Sequence, residues 1–150
     1  MNKTILNPIA VEEVIERAKR LNPQTTPHWG KMTVSEMLSH CNMAHQSILK
    51  APMATAGPTL RQRVFKFWFF HLRKEFPKLA RGPKRFDMKG KVDEKVFEEE
   101  KSKFIHIVAK FTNRETQMAG SHPVFGPLNH QYWGVFVWRH LDHHLRQFGV

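Results

Sequence analysis

Apolar residues recur at helical spacing through most of this chain, and the breaks between the runs carry capping and stop signals. Ala10, Val11, Val14, Ile15, Ala18 and Leu21 line one face of a helix expected over about 8–21, opened by Asn7 with Pro8 behind it and stopped at Asn22-Pro23. Thr33-Val-Ser-Glu36 reads as a capping box, so a second helix runs from 33 or 34 to about 49. Its inner stripe holds Met37, His40, Ala44 and Ile48, with Cys41 at the edge. A third helix is expected over about 59–75, with Leu60, Val64, Phe67, Trp68, His71 and Leu72 on a core-facing side and Arg61, Arg63, Lys66, Arg73 and Lys74 on the solvated one.

Asp93 caps a fourth helix, about 94–112, whose buried stripe is Phe97, Phe104, Val108 and Phe111. Glu100 falls within about 60° of Phe97 on that wheel, where a carboxylate needs a partner. The last helix opens at Asn129 and closes near Gly149. Trp133, Phe136, Val137, His140 and His144 share its inner stripe, and Arg139, Asp142 and Arg146 fall opposite. Two longer connections remain. Residues 77–92 form a basic stretch without a clear element, expected as a flap over a site, and residues 113–128 carry Ser121-His122-Pro-Val-Phe-Gly-Pro127. No strand, repeat or interdomain linker stands out. The fold class expected is all-α, a helical bundle in one domain over 1–150.

Composition narrows the setting. A hydrophobic fraction of 41% with 4 Trp and 12 Phe can fill an aromatic-rich core without covalent staples. The single Cys41 excludes a disulfide framework, and no signal peptide or bilayer-length apolar run stands out, so a cytoplasmic protein is expected. Cys41 itself reads as a small core residue. Net charge is +11. Such a charge suits nucleic acid, an anionic membrane surface or an acidic ligand, and does not choose among them.

The chemistry gathers on the last helix. His140 and His144 are one turn apart, about 40° on the wheel, a spacing at which both rings can hold one metal ion. A third histidine from another helix would leave coordination positions open, as catalytic rather than structural sites do. Four histidines are open for that place: His40, His45, His71 and His106. His40 sits mid-helix on an inner stripe behind a clear N-cap. His143 lies off the stripe, at the rim, while Gln147 lines the same cavity as His140. His122 is a candidate fourth ligand or acid/base, or a loop histidine fixing a turn. Glu100 is a candidate acceptor for a ligand N–H, or a rim carboxylate beside Lys101.

Together these residues resemble a known pattern. His40 in a second helix followed by His140-Leu-Asp-His143-His144-Leu-Arg-Gln147-Phe-Gly149 is similar to the DinB-like (DinB/YfiT-like) superfamily, whose members are regarded as metalloenzymes. Trp29-Gly-Lys-Met-Thr33, Met37-Leu-Ser-His-Cys41 and His122-Pro-Val-Phe-Gly126 resemble, more narrowly, an uncharacterised branch known as a domain of unknown function. The resemblance implies an up-down-down-up four-helix bundle, here with an extra helical segment and long loops. It implies His40, His140 and His144 as ligands of a divalent metal, Zn or Ni, and chemistry at the remaining positions of the thiol-transferase or hydrolase kind, with a low-molecular-weight thiol as cofactor and a small-molecule substrate.

A different class stays in view. Residues 61–85 hold nine Lys/Arg against Glu75 alone, interleaved with aromatics, which suits a non-catalytic binding module for nucleic acid or an anionic surface. The aromatic third helix also suits a homodimer contact.

Overall fold

A computed structural model describes residues 3–78, 82–113 and 115–150 of the chain. Five α-helices carry the fold: α1 Pro8–Lys19, α2 Val34–Lys50, α3 Leu60–Phe67, α4 Phe97–Ala109 and α5 His130–Gln147. The expected starts rest on side-chain caps. Asn7 accepts from the Ile9 amide, Thr33 and Glu36 form the reciprocal box, and Asn129 accepts from the Tyr132 amide. α2 packs on α4, α1 packs on α4 and α5, and α2 also meets α5. Val14, Ala18, Met37, Leu38, Phe104, Val108, Val137, Leu141 and Leu145 fill the space between them. α5 passes close to the N-terminal segment at Gly134, whose carbonyl accepts from the Ile5 amide; a Cβ there would strike Leu6.

The structure corrects four expectations. Residues 113–128 are not wholly irregular: β1 Ser121–His122 pairs antiparallel with β2 Gly126–Pro127, with His122 opposite Gly126. The fold is thus mostly helical with a minimal hairpin. The expected flap, residues 77–92, contains a 3-10 turn at Lys84–Phe86, and its Leu79, Ala80 and Arg81 lie outside the described residues.

The third correction is the largest. α3 stops at Phe67 and continues as a π turn, Trp68–Leu72, before the chain extends at Arg73. The stripe expected in the core, Leu60, Val64, Phe67, Trp68, His71 and Leu72, points to solvent. The reason is local. Gln62 and Lys66, on the other face, donate to the carbonyls of Pro123 and Pro127 and hold that face against the hairpin. The wider π turn then rotates Phe69 and Phe70 inward, onto Phe125, Phe136 and Tyr132.

Fourth, Arg139 is buried rather than solvated. Its Nη1 donates to the Phe69 carbonyl at 2.6 Å and its guanidinium lies over the Phe69 ring, so the π turn is tied to α5 by a charge-assisted bond. Asp142 and Arg146 do form the polar side, where Asp142 accepts from Arg17 at 2.8 Å and forms an ion pair with Arg146 at 2.9 Å. Among the described residues no helix is long and apolar enough to cross a membrane.

Candidate metal centre

α2 and α5 bring three histidines together. His40 comes from α2 and His140 and His144 from successive turns of α5, and one ring nitrogen of each lies within 4.8 Å of the other two. Ring centroids form a near-equilateral triangle: 5.2 Å from His40 to His140, 4.9 Å from His40 to His144 and 4.7 Å from His140 to His144.

What orients the rings is a partner for each Nδ1. His40 Nδ1 is 2.7 Å from the Phe86 carbonyl, which only accepts, so this nitrogen carries the proton and Nε2 keeps its lone pair. Gln147 commits its amide N–H to the Trp29 carbonyl at 2.7 Å, so its oxygen faces the His144 ring and accepts from Nδ1 at 2.9 Å. His144 Nε2 is therefore also a lone pair aimed into the cluster. His140 Nδ1 faces Nε2 of His45, a fully buried residue one and a half turns beyond His40, at 3.1 Å.

That last pair shares one proton, and its position decides what the cluster does. With the proton on His45, His140 carries its own on Nε2 and donates to His40 Nε2, 3.2 Å away. With the proton on His140 Nδ1, all three Nε2 atoms present lone pairs to a common point. Either arrangement is neutral. A divalent ion can thus replace the histidine–histidine hydrogen bond without expelling a proton from the cluster.

Burial keeps the rings in the neutral form that binds metal. Desolvation lowers the pKa of His40 against the raising effects of its Phe86 bond and of Asp87 nearby. Desolvation and the neighbouring rings hold His140 and His144 well below the usual histidine range. His45 is pushed down to about 3 by desolvation, with His40 adding to the effect.

A divalent ion fits this donor set. Zinc held tetrahedrally at about 2.1 Å from each nitrogen would separate two ligand atoms by about 3.4 Å, and an octahedral ion at similar bond lengths by about 3.0 Å. The 3.2 Å between His40 Nε2 and His140 Nε2 lies between these. That edge is compatible with a divalent ion of either geometry and does not identify it.

The other residues singled out from the sequence occupy distinct places. His143 is buried beside the cluster, its ring 5.1 Å from His144, 5.7 Å from Trp29 and 5.8 Å from Phe76, and desolvation lowers its pKa. Gln147 is the clamp on His144. His122 is stacked on Phe125 at 4.5 Å and lies 4.8 Å from Phe136, its Nδ1 accepting from the Val124 amide and its pKa lowered to about 4 by burial. Glu100 accepts from Asn42 at 2.8 Å and from Lys103 at 3.3 Å, linking α4 to α2. His71 rests exposed on Phe67, and His106 is exposed on α4. Cys41 is fully buried, its thiol pKa raised by desolvation, and it touches the Met37 sulfur.

Two supporting contacts were not anticipated. One is His45 behind His140; the sequence offers it as a candidate third ligand and gives no sign of a backing role. The other is the Phe86 carbonyl, supplied by a loop that periodicity cannot place. Comparison with known proteins yields no curated protein and no solved structure that matches the chain. A family model does match, over residues 1–149, and on that ground the chain belongs to the family described as protein of unknown function, DUF1569.

Proposed function

We propose that His40, His140 and His144 hold a divalent ion through their Nε2 atoms and that the chain is a metal-dependent enzyme, a DinB-like bundle of the thiol-transferase or hydrolase kind. One observation carries this: each ring has its Nδ1 engaged from behind, by Phe86, His45 or Gln147, while one nitrogen of each lies within 4.8 Å of the other two and the Nε2 atoms of His40 and His140 are 3.2 Å apart. Metal-ligating histidines are oriented by such outer partners, and histidines that serve only packing have no need of a common focus.

Three neutral ligands leave the full charge of the ion to polarise an oxygen or sulfur of a bound reactant. The chain's own part is to orient and to exclude water. Phe76 and Phe136 pack on the His140 ring, so one side of the centre is apolar. Trp29 and His143 form the other side, with Lys78 over the Trp29 ring at 4.6 Å. Lys78 and the basic residues that follow favour an anionic substrate or a carboxylate-bearing thiol. His143, whose ring lies 5.1 Å from His144 on the Trp29 side, is the group best placed to exchange a proton with a reactant there.

The test is a substrate-class assay on protein purified without an affinity tag and loaded with Zn or Ni. Consumption of a low-molecular-weight thiol with electrophiles, and hydrolysis of small activated esters and amides, should depend on added metal. Activity of either kind that His144→Ala removes supports the proposal; activity that survives both chelation and His144→Ala contradicts it.

A further inference from the structure

The outward stripe of α3 and its π turn is an apolar ridge on a basic helix. Leu60 is 78% exposed, Val64 61%, Phe67 57% and Leu72 66%, with Trp68 beside them. On a helical wheel these five span about 140°, the breadth of a face that normally packs against something. No acidic residue occurs from Ala51 to Lys74, whereas Arg61, Arg63, Lys66, Arg73 and Lys74 all do. Arg61 lies over the Phe65 ring and Arg73 over the Trp68 ring, so cations border the apolar surface directly.

The orientation is built rather than accidental. A capping box at Thr59 and Gln62 starts the helix, and Gln62 and Lys66 bind the hairpin carbonyls. Phe69, Phe70 and Arg139 then lock its end to α5. These contacts hold the polar side inward and keep the apolar side out.

We propose that α3 and the π turn dock this chain on an anionic lipid surface. Leu60, Val64, Phe67, Trp68 and Leu72 enter the acyl boundary while Arg61, Arg63, Arg73 and Lys74 meet the headgroup phosphates. Charge selects this occupant over a second copy of the chain. Joining two ridges would bring the same cations of both copies together, and the nearest acidic residue along the chain, Glu75, already pairs with Arg146 at 3.2 Å. A lipid surface offers both an apolar layer and the phosphates these cations need. The inference is independent of the metal centre.

The experiment is co-sedimentation of the full chain with phosphatidylcholine vesicles, with and without phosphatidylglycerol, at low and high salt. Binding should require phosphatidylglycerol, weaken with salt, and fall about fivefold for each of Arg61→Glu and Arg63→Glu. Phe67→Asp and Val64→Asp should each reduce it about tenfold or more, with unchanged circular dichroism because both side chains are exposed. Trp68 emission should shift to the blue on binding, and Trp68→Phe should bind while losing that shift. Absence of binding to phosphatidylglycerol vesicles at low salt overturns the proposal. So does binding indifferent to Phe67→Asp and Val64→Asp, which would be charge attraction elsewhere on the chain. Self-association or duplex DNA binding that those two substitutions abolish, without vesicle binding, overturns it in favour of the other occupant.

Discussion

His45 Nε2 lies 3.1 Å from His140 Nδ1, so a buried histidine on α2 sets which nitrogen of an α5 histidine faces the cluster. Replacing His45 by Leu removes the acceptor that a proton on His140 Nδ1 needs, the arrangement in which Nε2 is free for a metal. Metal affinity should fall about 10- to 100-fold, the range seen when partners of ligating histidines are lost. His45→Gln, whose side-chain oxygen can accept at a similar reach, should restore most of it. Competition with a chromophoric chelator measures both; a Leu variant that binds as tightly as the parent chain would remove His45 from the account.

Gly30 has φ of 83°, and a Cβ built there would stand 2.6 Å from Gln147 Nε2. The turn after Trp29 thus needs glycine for its backbone and for the amide that clamps His144. Gly30→Ala should cost more than about 1 kcal/mol of stability in urea denaturation. It should also weaken metal binding, as Gln147→Leu should. Because both act through one hydrogen bond, the double variant should bind scarcely worse than Gln147→Leu alone. Fully additive losses would show that the two residues act separately.

Glu36 is buried and does two jobs: one carboxylate oxygen accepts from the Thr33 amide at 2.8 Å, the other from the Gly90 amide. The second bond ties residues 84–91 to the start of α2, and that stretch supplies the carbonyl behind His40. Glu36→Ala should lower stability by about 1–3 kcal/mol through loss of the cap and an unpaired amide. Limited proteolysis should then cut between residues 82 and 92 sooner than in the parent chain.

Acid should destabilise the metal-free protein. His45, His140 and His144 have folded-state pKa values below the unfolded value, with His45 at about 3. Below the unfolded value, near 6.5, the unfolded chain binds protons that the folded chain refuses. The stabilisation is therefore complete above about pH 6.5 and is lost progressively as pH falls towards the folded values. Each such ring contributes a slope of up to about 1.4 kcal/mol per pH unit in that window. Thermal midpoints measured from pH 7 down to pH 5 should fall, and His122→Phe should flatten the fall, since His122 is also depressed, to about 4. A flat profile would mean that the rings are not neutral in the folded chain.

The parts legible in the sequence are those that local chemistry decides. Thr33 with Glu36, Asn7 with Pro8, and Asn129 each announce a helix start that the fold keeps. Helical spacing places His140 and His144 together and leaves His40 as the best placed of four candidate partners; the family resemblance singles it out, and the three do meet. α3 misled because periodicity reports that a helix has an apolar face, not where that face points. Its direction is set by Lys66 and Gln62 bonding to carbonyls about sixty residues later, and by a π turn that shifts the register. Arg139 misled for a related reason: it is buried against the Phe69 carbonyl, in a π turn that periodicity does not place. Contacts such as Phe86 with His40 arise from a loop whose course no pattern encodes.

The central claim is that three Nε2 atoms form one metal centre. Elemental analysis of protein expressed and purified without a histidine tag, beside His40→Ala, His140→Ala and His144→Ala, tests it most directly. One equivalent of a divalent transition metal per chain is expected in the parent protein, and a strong loss in each variant. Metal-free parent protein whose thermal midpoint is unmoved by added Zn or Ni would contradict it.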